Sequence, residues 1–143
     1  MRFLLDTNAI SDIRRNRDAR VRAWASQVDD ARLYLSVLTI GEVRTGIERL
    51  RSRDPAQADV FADWLAQLHE RFADRILPVN AAVAEEWGRL NAPSPRNTVD
   101  SLIAATARIH AMTVVTRNTS DFANCDVQLL NPWEHDPEQP DEG

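Results

Sequence analysis

A chain of 143 residues is the size of one compact domain, and 43% apolar and 27% charged residues match the average for soluble globular proteins. That composition excludes a disordered, collagenous or membrane-embedded chain, and no stretch approaches the roughly 20 apolar residues a membrane span needs. The net charge of −5 conceals an asymmetry: residues 1–53 carry 11 Arg against 7 acids, residues 54–143 carry 6 Arg against 15, and there is no lysine. Arginine is the better bidentate partner of phosphate, so an acidic chain of this kind can still bind nucleic acid, through a local arginine patch or through cations that bridge carboxylates to phosphate. One cysteine, Cys125, allows no internal disulfide and points to a reducing cytoplasm, and Asp6 interrupts the N-terminal apolar run too early for a signal peptide.

In chain order, Phe3-Leu4-Leu5 predicts a fully buried strand that ends at Asp6-Thr7-Asn8 and turns into a helix. Leu33-Tyr34-Leu35 predicts a second strand, leading through Ser36 to a helix over about 38–53 with Ile40, Val43, Ile47 and Leu50 on one stripe. Asp54-Pro55 supplies an N-cap acid and a first-turn proline for a helix to about 74, striped by Phe61, Trp64, Leu65, Leu68 and Phe72. A strand over 76–79, helices over about 81–90 and 99–111 around a Pro93-Ser94-Pro95 loop, and strands over 113–116 and 127–130 complete the pattern. Strands apolar on both faces, alternating with helices, indicate an α/β sandwich with a parallel sheet between helical layers. Residues 1–134 form one domain, and the tail 135–143, rich in Asp, Glu, Pro and Gly, is expected to be disordered. Trp24, Trp64, Trp87 and Trp133 read as core anchors.

Sites in open α/β sheets form outside the carboxyl ends of the strands, and there the acids stand out. Asp6 follows the first strand, Glu42 lies in the early turns of the helix after the second, Asp100 opens the helix after the Pro-rich loop, and Asp121 follows the strand over 113–116. Each also has a purely structural reading: a cap for Asp6, a helix-dipole partner for Asp100, a turn residue for Asp121, a solvated helix acid for Glu42. Gly41 and Gly46 sit inside an apparent helix at a cost of about 1 kcal/mol each relative to Ala, which signals either a cleft beside Glu42 or close packing. Four converging acids require raised pKa values or neutralising cations. Oxygen-only ligands suit Mg²⁺ or Mn²⁺, and such ions favour phosphate chemistry. Asp6 and Asp100 are the first choices as direct ligands; Glu42 and Asp121 complete the set, one of them through water or as an orienter of the nucleophile.

The segments Leu4-Leu-Asp-Thr-Asn-Ala-Ile-Ser11, Leu35-Ser-Val-Leu-Thr-Ile-Gly-Glu-Val-Arg-Thr-Gly46, Val99-Asp-Ser-Leu-Ile-Ala-Ala-Thr-Ala107 and Val114-Val-Thr-Arg-Asn-Thr-Ser-Asp-Phe122 run in this order from Leu4 toward Trp133. Together they resemble PIN-domain ribonucleases of the VapC toxin type, in the FitB-like branch. The resemblance implies a Mg²⁺- or Mn²⁺-dependent endoribonuclease, the toxin of a type II toxin–antitoxin pair, that hydrolyses RNA phosphodiester bonds with metal-activated water. It maps the family's acidic quartet onto Asp6, Glu42, Asp100 and Asp121, with Thr116 in the catalytic set and Asn8 and Asn118 at polar positions lining the site. It further implies a homodimer and a cognate antitoxin of the VapB/FitA type whose C-terminal segment occupies a groove, to which the helices over 38–53 and 55–74 contribute. Operator DNA is then contacted only indirectly, through the antitoxin, in the cytoplasm and away from any membrane.

One departure is the segment before Asp100, which in similar sequences is longer and often basic, so RNA specificity does not transfer. Arg14, Arg15, Arg17, Arg20 and Arg22 form either an RNA-facing patch or a solvated helix face. The alternatives are a non-catalytic PIN-fold interaction or regulatory protein, and a phosphotransfer enzyme with Asp6 as nucleophile. Such enzymes usually carry a second Asp where this chain has Asn8.

Overall fold

The computed structural model describes residues 1–136. The chain runs β1 (Phe3–Leu5), α1 (Thr7–Arg15), α2 (Ala19–Gln27), β2 (Leu33–Ser36), α3 (Val37–Arg51), α4 (Pro55–Phe72), β3 (Ile76–Leu77), α5 (Ala81–Asn91), α6 (Thr98–His110), β4 (Thr113–Val115) and β5 (Leu129–Leu130). All pairings are parallel, in the order β3-β2-β1-β4-β5.

Alternation along the strands divides two cores. Phe3, Leu5, Leu35 and Val115 point to the layer of α1 to α4, where Ile10, Trp24, Ile47, Leu65 and Phe72 are buried. Leu4 and Val114 point to α5 and α6, against Val83, Leu90, Ile103 and Phe122. The expected sandwich is therefore present, with helices on both faces of the sheet. No helix among the described residues is long and apolar enough to cross a membrane.

Capping residues set most helix starts. Asp6 accepts from the Ala9 amide, Asp18 from Arg20 and Val21, Ser36 from Leu38, Asp54 from Gln57, Asn80 from Val83 and Asn97 from Asp100. No turn separates β1 from α1, because Asp6 is both the residue after the strand and the cap of the helix. The Asn16 backbone, in the left-handed region at φ 55°, ends α1 and divides the early arginine-rich segment into two helices.

Three strands are shorter than expected, β4 by the single residue Thr116. β3 stops at Leu77 because Pro78 has no amide to donate. The segment 126–128 begins at Asp126 with φ 51°, and only Leu129 and Leu130 register with β4. The Trp133 indole donates to Asp12 at 2.8 Å, and Arg20 donates to the Trp133 carbonyl at 3.0 Å, so the 132–134 turn is fastened across α1 and α2. Trp24 and Trp133 are core anchors as expected, whereas Trp64 and Trp87 are only half-buried at its margin. The His135 amide closes the 132–134 turn onto Pro132, and from residue 137 on the expected tail lies outside the described residues.

Candidate active site

From β1 the chain moves outward to β2 and β3, then returns to add β4 and β5 on the other side. The strand order therefore reverses between β1 and β4, and the carboxyl ends of these two strands are where a crevice opens in an α/β sheet. Asp6 and Thr116 are the residues that follow them, tied to the ladder by Asp6 N–H to Val115 O at 3.1 Å and Thr116 N–H to Leu130 O at 3.0 Å. The sheet register itself brings these two polar side chains together.

Asp6 is 8% exposed and Thr116 fully buried. The Asp6 carboxylate accepts from the Ala9 amide at 2.8 Å and from the Thr116 hydroxyl. The Thr116 oxygen in turn accepts from the Asn118 amide at 3.0 Å, which shapes the turn leading to Asp121. Glu42 projects from the second turn of α3 and accepts from the Thr7 hydroxyl at 2.5 Å, one residue beyond Asp6. Asp100 stands in the first turn of α6, and Asp121 in the 119–122 turn after β4.

The electrostatics show that these four acids share one region. Burial raises the Asp6 carboxyl above its ordinary value, the Thr116 and Ala9 donors oppose the shift, and the Glu42 charge adds to it. Burial also raises the Asp100 carboxyl, and the charges of Asp121, Glu42 and Asp6 push it further. Acids from β1, α3, α6 and the turn after β4 thus act on one another across the sheet edge. Among the described residues no three Asp, Glu, His or Cys side chains stand close enough to enclose an ion as they lie. The donors available are four carboxylates and a hydroxyl, with no nitrogen or sulfur group among them, and this hard-oxygen set fits Mg²⁺ or Mn²⁺. Glu42 and Asp121 are exposed, Asp100 is half-buried and Asp6 is buried; the Asp6 and Glu42 carboxylates are held by hydrogen bonds. Asn8 and Asn118 are exposed on the same two connections.

The structure decides one question left open by the sequence. A Cβ built at Gly41 or at Gly46 meets nothing within 4 Å, so neither glycine serves close packing. Gly46 instead lines a groove of about 260 Å³ with Thr7, Glu42, Ile47, Phe61 and Trp64. The short loop before Asp100 ends at Asn97, whose side chain caps α6 by accepting from the Asp100 amide at 3.1 Å.

Two residues that bear on the site were not singled out in the sequence. Thr7 is signalled only by its place directly after Asp6. Arg96, the one charged residue of the Pro-rich loop, fastens that loop to the turn after Asp121 through the carbonyls of Ala123 and Asn124.

The family profile of the PIN domain matches residues 3–127, nearly the whole of this parallel sheet and its two helical layers. The chain belongs to the PIN-domain family, in its VapC-type toxin branch. It is 36% identical over 141 residues to Toxin FitB of Neisseria gonorrhoeae, covering 94% of this chain and 99% of the relative. It is 31% identical to VapC ribonuclease Y4jK of Sinorhizobium fredii, covering 92% and 98%. A solved structure of FitAB bound to an IR36 DNA fragment matches with a TM-score of 0.83 at 34% identity, covering 96% of this chain and 99% of that one.

Proposed function

We propose that this protein is a Mg²⁺- or Mn²⁺-dependent endoribonuclease and the toxin of a type II toxin–antitoxin pair. The observation that carries the reading is the electrostatic coupling of Asp100 to Asp121, Glu42 and Asp6, acids supplied by four separate elements at the switch point. The nuclease name of the Sinorhizobium relative supports it.

Asp6 and Asp100 would hold the cation directly, and Glu42 and Asp121 would complete its ligand set. When bound, a divalent cation supplies Lewis acidity to the phosphate and to an attacking water. Thr116 fixes the rotamer of Asp6 by donating to it, and Thr7 holds Glu42 at the edge of the site. The closed cap at Ala9 keeps the Asp6 carboxylate aimed out of the sheet edge, where the scissile phosphate of an RNA strand would lie.

The groove at Gly46, walled by Ile47, Leu50, Phe61 and Trp64, suits the apolar segment of a VapB/FitA-type antitoxin. The solved structure of FitAB bound to an IR36 DNA fragment supports a complex that meets DNA, and in this reading operator DNA is contacted through the antitoxin. A homodimer working in the cytoplasm completes the reading.

The test is cleavage of total cellular RNA by the purified chain, free of any antitoxin, with Mg²⁺ or Mn²⁺. Discrete fragments that vanish with EDTA and with Asp6→Asn are expected. A folded chain that takes up the cation and still leaves all RNA intact contradicts the reading and favours a non-catalytic interaction protein.

A further inference from the structure

Two hollows meet at Trp64. The first, about 260 Å³, begins at Thr7 and Glu42 beside the acids and runs along α1, α3 and α4 to Phe61 and Trp64. The second, about 620 Å³, continues past Trp64 and is lined by Arg14, Arg15 and Arg17 of the α1 end, opposite Asp63 and Gln67 of α4. The five early arginines therefore divide. Arg20 donates to the Trp133 carbonyl and Arg22 to the Asn16 carbonyl, both spent on the fold. The other three face the hollow.

Their setting is that of a nucleic-acid surface. The Arg14 guanidinium lies over the Phe61 ring at 4.5 Å and the Trp64 ring at 5.3 Å. A guanidinium held against two aromatic rings keeps N–H donors for phosphate, and the rings beside it are surfaces on which a base can stack. Neither Arg14 nor Arg17 has an ion-pair partner among the described residues, and Arg15 meets only Asp12, at 3.5 Å, with 57% of its side chain exposed. Three arginines line the hollow against one lining acid, Asp63, and Asp12 beside Arg15, which leaves a local positive charge on a negative chain. The path from Thr7 to Arg15 along α1 is about 12 Å at about 1.5 Å per residue. A strand with about 3.4 Å between stacked nucleotides covers it in three or four steps.

We propose that Arg14, Arg15 and Arg17, with Trp64, form a subsite for single-stranded RNA flanking the scissile phosphate. This rests on the nuclease reading and adds to it the direction the strand takes from the acids, along α1. Phosphates lie on the arginines, and a base stacks on the Arg14–Trp64 face. The apolar first hollow is the better protein groove, whereas the second offers charge and stacking planes.

The experiment is fluorescence anisotropy of a labelled single-stranded RNA of mixed sequence, in the full chain carrying Asp6→Asn to prevent cleavage. Arg15→Glu/Arg17→Glu in that background leaves the Arg14 stack in place, and an unchanged melting temperature verifies its fold. The expected result is an affinity lower by about tenfold or more near 0.1 M salt, with the log–log salt slope shallower by about 1.4 for two lost phosphate contacts. Arg44→Glu/Arg89→Glu, which makes the same charge change away from the hollow, is expected to keep most of both. If the two double variants behave alike, the subsite is overturned. It is equally overturned if Arg15→Glu/Arg17→Glu binds RNA normally and instead loses the antitoxin. If the chain with all its arginines neither binds nor cleaves RNA in the presence of divalent cation, the nuclease reading itself falls and takes the subsite with it.

Discussion

The guanidinium of Arg96 donates to the carbonyl of Ala123 at 3.1 Å and to that of Asn124 at 3.2 Å. Its own amide donates to the Asn91 side chain at 3.0 Å, so one residue ties the end of α5, the loop entering α6 and the turn after Asp121. Two of the four acids are thereby held in register by a residue that touches neither. Arg96→Met keeps the aliphatic stem and removes the donors. We expect a loss of about 1–3 kcal/mol in urea unfolding, the usual worth of charge-assisted bonds, together with weaker Mn²⁺ binding. Wild-type stability and Mn²⁺ affinity in this variant would show that the loop needs no such tie.

Asp6 and Asp100 make the cation-free protein pH-sensitive. Both carboxyls are raised above the ordinary 3.8 in the folded chain, so the native state holds more protons than the unfolded state in the window above that value. Stability in EDTA therefore increases as pH falls from neutrality into this window and declines as pH rises out of it. Asp6→Asn removes the repelling charge, while Asn remains a good N-cap. At pH 7 in EDTA this variant is expected to melt above wild type, with a flatter pH dependence. Saturating Mn²⁺ reverses the order, since wild type gains about 2.7 kcal/mol at a hundredfold excess over Kd. Calorimetry with and without cation checks both signs.

Thr116 is fully buried and links Asp6 to the Asn118 amide. Thr116→Val keeps the shape and deletes both bonds. By analogy with outer-sphere positioning groups, the expected loss in kcat/KM on an RNA oligonucleotide is about 10–100-fold. Thr116→Ser retains the hydroxyl and is expected to restore most of it. Full activity in the valine variant would remove Thr116 from the site.

Gly41 and Gly46 separate stability from recognition. Both lie in α3 with open space where a Cβ would stand, so alanine at either is expected to stabilise the free chain by about 0.5–1 kcal/mol. Only Gly46 lines the groove with Phe61 and Trp64. Gly46→Ala is therefore expected to weaken antitoxin binding in a calorimetric titration, and Gly41→Ala to leave it unchanged.

The sandwich was legible because the apolar runs at 3–5, 33–35 and 113–115 are too short for buried helices and each is followed by a polar residue. Asp54-Pro55 marked its helix start outright, and Asp6, Glu42, Asp100 and Asp121 stood at the ends of predicted elements that a parallel sheet must align. What the sequence does not carry is long-range side-chain traffic. The bond from Trp133 to Asp12 joins residues at opposite ends of the chain, and nothing local distinguishes Arg96 from any loop arginine. The division of the five early arginines depends on Asn16 entering the left-handed region, which separates α1 from α2. Pro78 did signal the early end of β3, but an apolar Val79 beyond it extended the apparent strand.

In the proposed function, carboxylates from four segments of the chain jointly hold a divalent cation. Equilibrium titration of the folded chain with Mn²⁺ tests it without any substrate. Saturable binding that is lost in Asp6→Asn and in Asp100→Asn is the predicted result. A wild-type chain that takes up no Mn²⁺, or variants that bind it as tightly as wild type, would contradict the claim.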